Sequence, residues 1–252
     1  MNDNGYVNVD ITNGIAAITF FHPKKNSLPG SLLTEMAQEM LALGGNDQAR
    51  VVVLQSGGSG PFCAGASFDE LLAVDSFERS KAFFMGFARL ILAMRRIPKF
   101  VIVRVQGKAV GGGVGIIAAA DYALASDRAA VKLSEFALGF GPFIIGPAVE
   151  RKIGKAAFSA LATDTEWRDA QWCKNYGLFA GVFAGESQLD EAVQSMATKL
   201  SNSSVEAAAH LKKVFWDGTE HWDELLEERA EMSGRLVLSD FTQKAIAAFK
   251  KR

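Results

Sequence analysis

The chain has 252 residues, with 27 basic and 28 acidic side chains and a formal net charge of −1. That balance excludes the basic surface that general nucleic-acid binding needs. Two widely spaced cysteines and three histidines without HxxxH or HExxH spacing argue against a disulfide framework and a metal centre, and no run of about 18 apolar residues could span a bilayer.

The N-terminal MNDNGYVNVD lacks a basic region followed by an apolar one, so no signal peptide is expected and a soluble cytoplasmic protein is. Tyr6 to Ile11 alternates, Asn13-Gly14 turns, and Ile15 to Phe21 is apolar, which predicts a hairpin. A turn-rich loop with Lys24 and Lys25 follows. Ser31 then stands as a cap for a helix carrying Leu32, Leu33, Met36, Met40 and Leu43. Val51 to Gln55 reads as a buried strand. The loop 56–67 leads into a helix from Phe68, and another helix runs from Phe77 to Met94, ahead of Pro98.

The chain is organised around FVIVRVQGKAVGGGVGIIAAAD, residues 100–121. A β-branched strand gives way to a polar turn, then to Gly111-Gly112-Gly113, then to a small-sided apolar helix. Such a turn presents unpaired helix-start N–H groups, and glycines let a ligand approach them closely. Phe62-Cys-Ala-Gly-Ala-Ser67 has the same design. Two such turns at the C-terminal ends of neighbouring parallel strands would form an oxyanion hole. Two ordinary glycine turns are the alternative.

Strands follow at 122–126 and 130–133. Beyond Gly154 the pattern becomes helical: 155–162, 169–176, 190–200, 203–216, 222–237 and 240–250, with capping boxes at Ser203–Glu206 and Asp240–Gln243. The expected organisation is an α/β core over 1–190 and a helical oligomerisation region over 191–252.

FCAGASFDEL followed about forty residues later by VQGKAVGGGVGIIAAADYALAS resembles the crotonase superfamily of enoyl-CoA hydratases and isomerases. HPKKNSL, AVKLSEFALGFGP and IGKAAFSALATDTEWRDAQWCKNYGL extend the likeness over residues 5–185. The resemblance implies a spiral of ββα units with a helical C-terminal region that assembles a homotrimer or homohexamer. It also implies an acyl-CoA thioester substrate, with coenzyme A part of the substrate and no further cofactor. The oxyanion donors map onto Ala66 and Gly112. Ala64, Gly65, Gly111, Phe68, Phe143, Lys24 and Lys25 stand as substrate-binding residues; Lys250, Lys251 and Arg252 are further candidates for the CoA phosphates.

The chain also departs from the family. Of the two hydratase glutamates, one maps onto Gly115 and the other onto Glu135; Asp69 stands where some members carry a lysine; and the segment after Glu135 is the apolar FGPFIIGP, residues 140–147. A single carboxylate can move a proton between carbons of an enolate, whereas hydration usually needs a second acid or base. Glu135 is therefore the expected catalytic acid/base, with isomerase-like proton transfer favoured. The structural alternative pairs Glu135 with Lys132 or Arg151. Cys63 has no motif-linked base and reads as a small buried residue, while His22 reads as a surface turn residue. Two other functions compete: a non-catalytic acyl-CoA-binding protein, because Gly115 lacks a carboxylate, and a dinucleotide-dependent oxidoreductase, because Gly113 to Ala118 fits GxGxxA with Glu135 twenty residues past Gly115.

Overall fold

The computed structural model describes residues 5–249. Strands β1 (Tyr6–Thr12) and β2 (Ile15–Phe21) form the expected antiparallel hairpin, turned by Asn13 and Gly14 at φ 52° and 81°. Then come α1 (Gly30–Gly45), β3 (Val51–Ser56), α2 (Phe68–Leu72), α3 (Phe77–Arg96), β4 (Val101–Val105), β5 (Ala109–Val110), α4 (Gly112–Ala119), β6 (Tyr122–Ser126) and β7 (Ala130–Lys132). A single 3-10 turn, Phe136–Leu138, precedes α5 (Gly146–Asp164), β8 (Arg168–Asp169), α6 (Ala170–Asn175), β9 (Gly181–Phe183) and α7 (Gly185–Ser201). The remaining elements are α8 (Val205–Phe215), α9 (Trp222–Val237) and α10 (Asp240–Phe249).

The main sheet has the order β1-β2-β3-β4-β6-β9 and is parallel from β2 onward; β5, β7 and β8 form a small second sheet. Successive strand residues point to opposite faces. Val52, Leu54, Val101 and Val103 accordingly enter one core with α1 and α3, while Val51, Val53, Ile102 and Leu124 meet Leu189, Val193 and Ala197 of α7 on the other face. Both faces are covered, so β3 and β4 are buried almost throughout rather than in alternation.

Several boundaries differ from expectation. Helix α1 starts at Gly30, whose N–H donates to Glu70 Oε2 at 2.8 Å, so a neighbouring helix satisfies it and Ser31 caps nothing. Two caps lie one residue off the expected boxes: Ser204 accepts from Ala207 N–H, and Ser239 accepts from Thr242 N–H. The expected helix 155–162 is the second half of α5, which begins at Gly146 and breaks at Gly154, φ 78°. Helix α7 starts five residues before the expected 190 and runs through that point while packing on the sheet. Strands β5, β8 and β9, with two or three residues each, are too short to show a period.

Helix α9 packs along α3. Helix α9 and its C-cap carry the apolar residues Leu225, Leu226, Met232, Leu236 and Leu238. Leu226 is fully buried within the chain and Leu225 and Leu238 pack on its core; of the five, Leu236 is the exposed one. No helix among the described residues is long and apolar enough to cross a membrane.

Candidate active site

Short backbone bridges join three segments distant in sequence. Leu28 donates to Gly65 O at 2.8 Å and accepts from Ser67 N–H at 2.9 Å, while Val110 N–H donates to Cys63 O at 2.9 Å. Along a bridged extended segment, alternate residues face opposite ways. With Gly65 and Ser67 bonded to Leu28, the Ala66 N–H turns away from it, and Ala66 lines a cavity of about 440 Å³.

The glycine turn meets the same cavity. Gly111 has φ 53° and ψ −117°, a conformation that side chains disfavour. Its N–H donates to Lys132 O, and its carbonyl accepts from the N–H groups of Val114 and Gly115. Gly112 opens α4, where an N–H has no intrahelical acceptor. Close packing enforces both glycines: a Cβ on Gly112 would stand 2.2 Å from the Phe87 ring, and one on Gly111 would stand 2.9 Å from Glu135 Oε1.

Glu135 therefore lies directly against the glycine turn. It is half-buried as a residue and faces the cavity, but its Oε2 is shut off from solvent and has no hydrogen-bond partner. Burial pushes its carboxyl up to about 7. The structural pairing with Lys132 or Arg151 is not formed. Lys132 sits near the Trp167 ring; Arg151 lies over the Trp216 ring at 4.1 Å and donates to Phe215 O.

Every residue named from the sequence as catalytic or substrate-binding lines this one cavity: Glu135, Ala66, Gly112, Ala64, Gly65, Gly111, Phe68, Phe143, Lys24 and Lys25. Lys250, Lys251 and Arg252 lie outside the described residues. Phe140, Ile144 and Ile145 of the apolar segment 140–147 line the cavity as well, whereas sequence reasoning missed Leu138 and the wall that α3 supplies through Phe83, Phe84 and Phe87. The three phenylalanines share a helix face at i, i+1 and i+4; that stripe was the available signal, but it reads equally as core.

At His22 the structure differs from expectation, and at Cys63 it agrees. The side chain over Gly115 is Ile145: a Cβ on Gly115 would stand 2.3 Å from Ile145 Cγ2, whereas Phe143 packs over Gly141. His22 is buried, not a surface residue; its Nδ1 accepts from Lys24 N–H and lies 3.3 Å from Ser27 Oγ, and burial lowers its pKa. Lys24 is ion-paired with Asp69 at the cavity rim. Cys63 is fully buried, and burial pushes its thiol up to about 12, so it holds no nucleophilic thiolate.

Two such turns lining one apolar cavity beside a carboxyl of raised pKa bring together the kinds of group that enolate chemistry uses, backbone donors and a proton carrier. The dinucleotide geometry fails, because β5 in the other sheet separates β4 from the glycines. Gly113 and Gly115 are closed off by Cys63 and Ile145, and α4 has only 8 residues.

The family profile described as Enoyl-CoA hydratase/isomerase matches residues 10–252. A Rhodococcus jostii relative, (7aS)-7a-methyl-1,5-dioxo-2,3,5,6,7,7a-hexahydro-1H-indene-carboxyl-CoA hydrolase, is 30% identical over 75% of this chain and 71% of its own. A trans-2-decenoyl-[acyl-carrier-protein] isomerase from Streptococcus mutans is 23% identical over 96% of this chain and 94% of its own. The crystal structure of an enoyl-CoA hydratase from Mycobacterium avium superimposes with a TM-score of 0.85 at 27% identity, covering 100% of this chain and 97% of that one.

Proposed function

The chain belongs to the enoyl-CoA hydratase/isomerase family, and from that premise we propose that it moves a proton, and with it a double bond, within an enoyl thioester. The carrying observation is Glu135, whose buried, unpartnered oxygen lies beside the glycine turn while Ile145 fills the space above Gly115. In this reading Glu135 takes the α-proton of a 3-enoyl thioester. The electron pair moves to the thioester oxygen, where the N–H groups of Ala66 and Gly112 stabilise the enolate. The same carboxyl returns the proton to the γ-carbon, leaving a 2-enoyl thioester. No water is added, and no cofactor is needed beyond the CoA carried by the substrate. A non-catalytic acyl-CoA-binding role would leave an unpaired buried carboxylate without purpose.

The cavity wall supports an apolar, uncharged acyl group. Its charged lining residues are Glu135 and, at the rim, Lys24, Lys25 and Asp69. A malonyl-type carboxylate would enter beside Glu135 among phenylalanines, with no cation to offset its desolvation. For assembly as a trimer, the support is the exposed apolar face of α8, with Val205, Leu211, Val214 and Phe215.

The test offers 3-enoyl, 2-enoyl and malonyl thioesters of CoA to the protein in deuterated water, read by mass spectrometry. Migration of the double bond with deuterium uptake, and little hydration, is expected. Fast hydration of crotonyl-CoA would overturn the proton-transfer reading; decarboxylation of malonyl-CoA would overturn the apolar-acyl reading.

A further inference from the structure

Lys25 and Asn26 both adopt the left-handed conformation, with φ 56° each, which residues other than glycine rarely do. Asn26 is 3% exposed and uses its whole amide. Its Oδ1 accepts from His22 N–H at 2.9 Å, while its Nδ2 donates to Gly57 O and Pro61 O, each at 3.0 Å. Its own N–H donates to His22 O at 2.9 Å, closing the loop on itself. One side chain thus fastens the 22–28 loop to the start of the loop that carries Ala66.

The other end of that loop is fastened by backbone alone. Ala64 N–H donates to Lys25 O at 3.2 Å, and the Leu28 rungs to Gly65 and Ser67 follow. Those rungs turn the Ala66 N–H away from Leu28, and Ala66 lines the cavity. Resting on the proposed enolate reading, we infer that Asn26 is a positioning residue: it holds the 22–28 loop in the left-handed conformation from which Leu28 aims the Ala66 donor.

The residue type follows from the partners. Only an amide supplies an acceptor for His22 and two donors for Gly57 and Pro61. Aspartate keeps the acceptor but would set a carboxylate against two carbonyl oxygens. Glycine tolerates the backbone angle and loses every side-chain bond, so it separates conformation from fastening.

The test compares the unmodified protein with Asn26→Gly and Asn26→Asp. The probe is acetoacetyl-CoA, whose enolate absorbs in the near ultraviolet and is favoured by an intact oxyanion hole. Both variants should lose the enolate absorbance. Their kcat for α-proton exchange should fall roughly 10- to 100-fold, as for misplaced catalytic groups, while the Kd for the thioester changes by less than about threefold. Should the glycine variant fail to fold, the isosteric aspartate variant carries the test. Variants that only melt earlier, keeping kcat and the enolate absorbance, would overturn the inference and leave the enolate reading standing. An unmodified protein that neither exchanges α-protons nor favours the enolate would overturn both.

Discussion

The chain buries two carboxylates and treats them oppositely. Asp121, at the start of β6, has a side chain 5% exposed and surrounded by donors. Lys212 of α8 lies at 2.6 Å, Val101 N–H at 2.8 Å and the Trp216 indole at 3.3 Å. Glu135, beside the glycine turn, has an oxygen with no partner. Asp121 ties a tail helix to the N-terminal ends of β4 and β6, and its contacts serve the fold. Glu135 meets only the backbone N–H groups of Ser134 and of its own residue, and its Oε2 has no partner, so its burial makes sense as preparation for a proton. Buried polar groups are normally paired, and an exception in a cavity marks chemistry.

Replacing each carboxylate by its amide breaks the comparison most directly. Glu135→Gln should lower proton-transfer turnover by roughly two to four orders of magnitude, with thioester binding little changed. Because the base form is needed, unmodified activity should rise with pH through a midpoint near 7, the value to which burial pushes Glu135. Turnover retained in the glutamine variant, or an acid limb centred near 4.5, would place the base elsewhere.

Asp121→Asn should do the reverse. It leaves Lys212, itself 2% exposed and with its pKa lowered by burial, without its counter-charge. Breaking one side of a buried pair costs about 3–5 kcal/mol, which for a chain of this size lowers the melting temperature by roughly 10 °C. The folded fraction should keep its kcat. Calorimetry paired with turnover per folded molecule checks this; lost turnover at unchanged stability would show that the two carboxylates are not separable.

A smaller effect follows from Glu135 alone. Its pKa is raised on folding from 4.5 to about 7. Between those values the unfolded chain releases this proton while the folded chain keeps it. This contribution to stability therefore falls as pH rises through that window and is level above it. The amplitude is at most about 3 kcal/mol. Denaturant titrations at pH 5 and 8 should show this drop in the unmodified protein and lose it in Glu135→Gln; an identical drop in both would assign it to other groups.

The two carboxylates also show what a sequence displays. Glu135 was legible through the family resemblance, which maps a hydratase glutamate onto it, and the residues named around it meet in one cavity. The network of Asp121 was not: Lys212 and Trp216 lie 91 and 95 residues away, with no spacing rule to join them. The same holds for Ile145 over Gly115, and for the α3 phenylalanines, whose stripe does not say which neighbour it faces. β1 showed its alternation and β2, β3 and β4 their apolar runs, while β5, β8 and β9 exist only because neighbours pair with them. The one-residue shifts at Ser204 and Ser239 arose because adjacent serines and aspartates are equally good caps on paper.

At the rim, the comparison predicts its smallest effect. Lys24 and Asp69 form an ion pair with side chains 66% and 62% exposed, the opposite of Lys212 and Asp121 in burial. Exposed pairs contribute about 0–1 kcal/mol, so Lys24→Ala should leave stability unchanged. Its charge is already partly cancelled by Asp69, so its loss should weaken thioester binding less than the loss of Lys25, which lines the same cavity. We expect Lys25→Ala to raise the Kd by roughly two- to fivefold at low salt, in the range of a single screened charge contact, and Lys24→Ala to raise it less. Both differences should shrink by 1 M salt, where the screening length is about 3 Å. Isothermal titration with acetyl-CoA at two ionic strengths reads this directly. A tenfold loss in Lys24→Ala that survived high salt would mean that Lys24 leaves Asp69 when ligand binds and is buried against it. The rim would then resemble the interior pair rather than contrast with it.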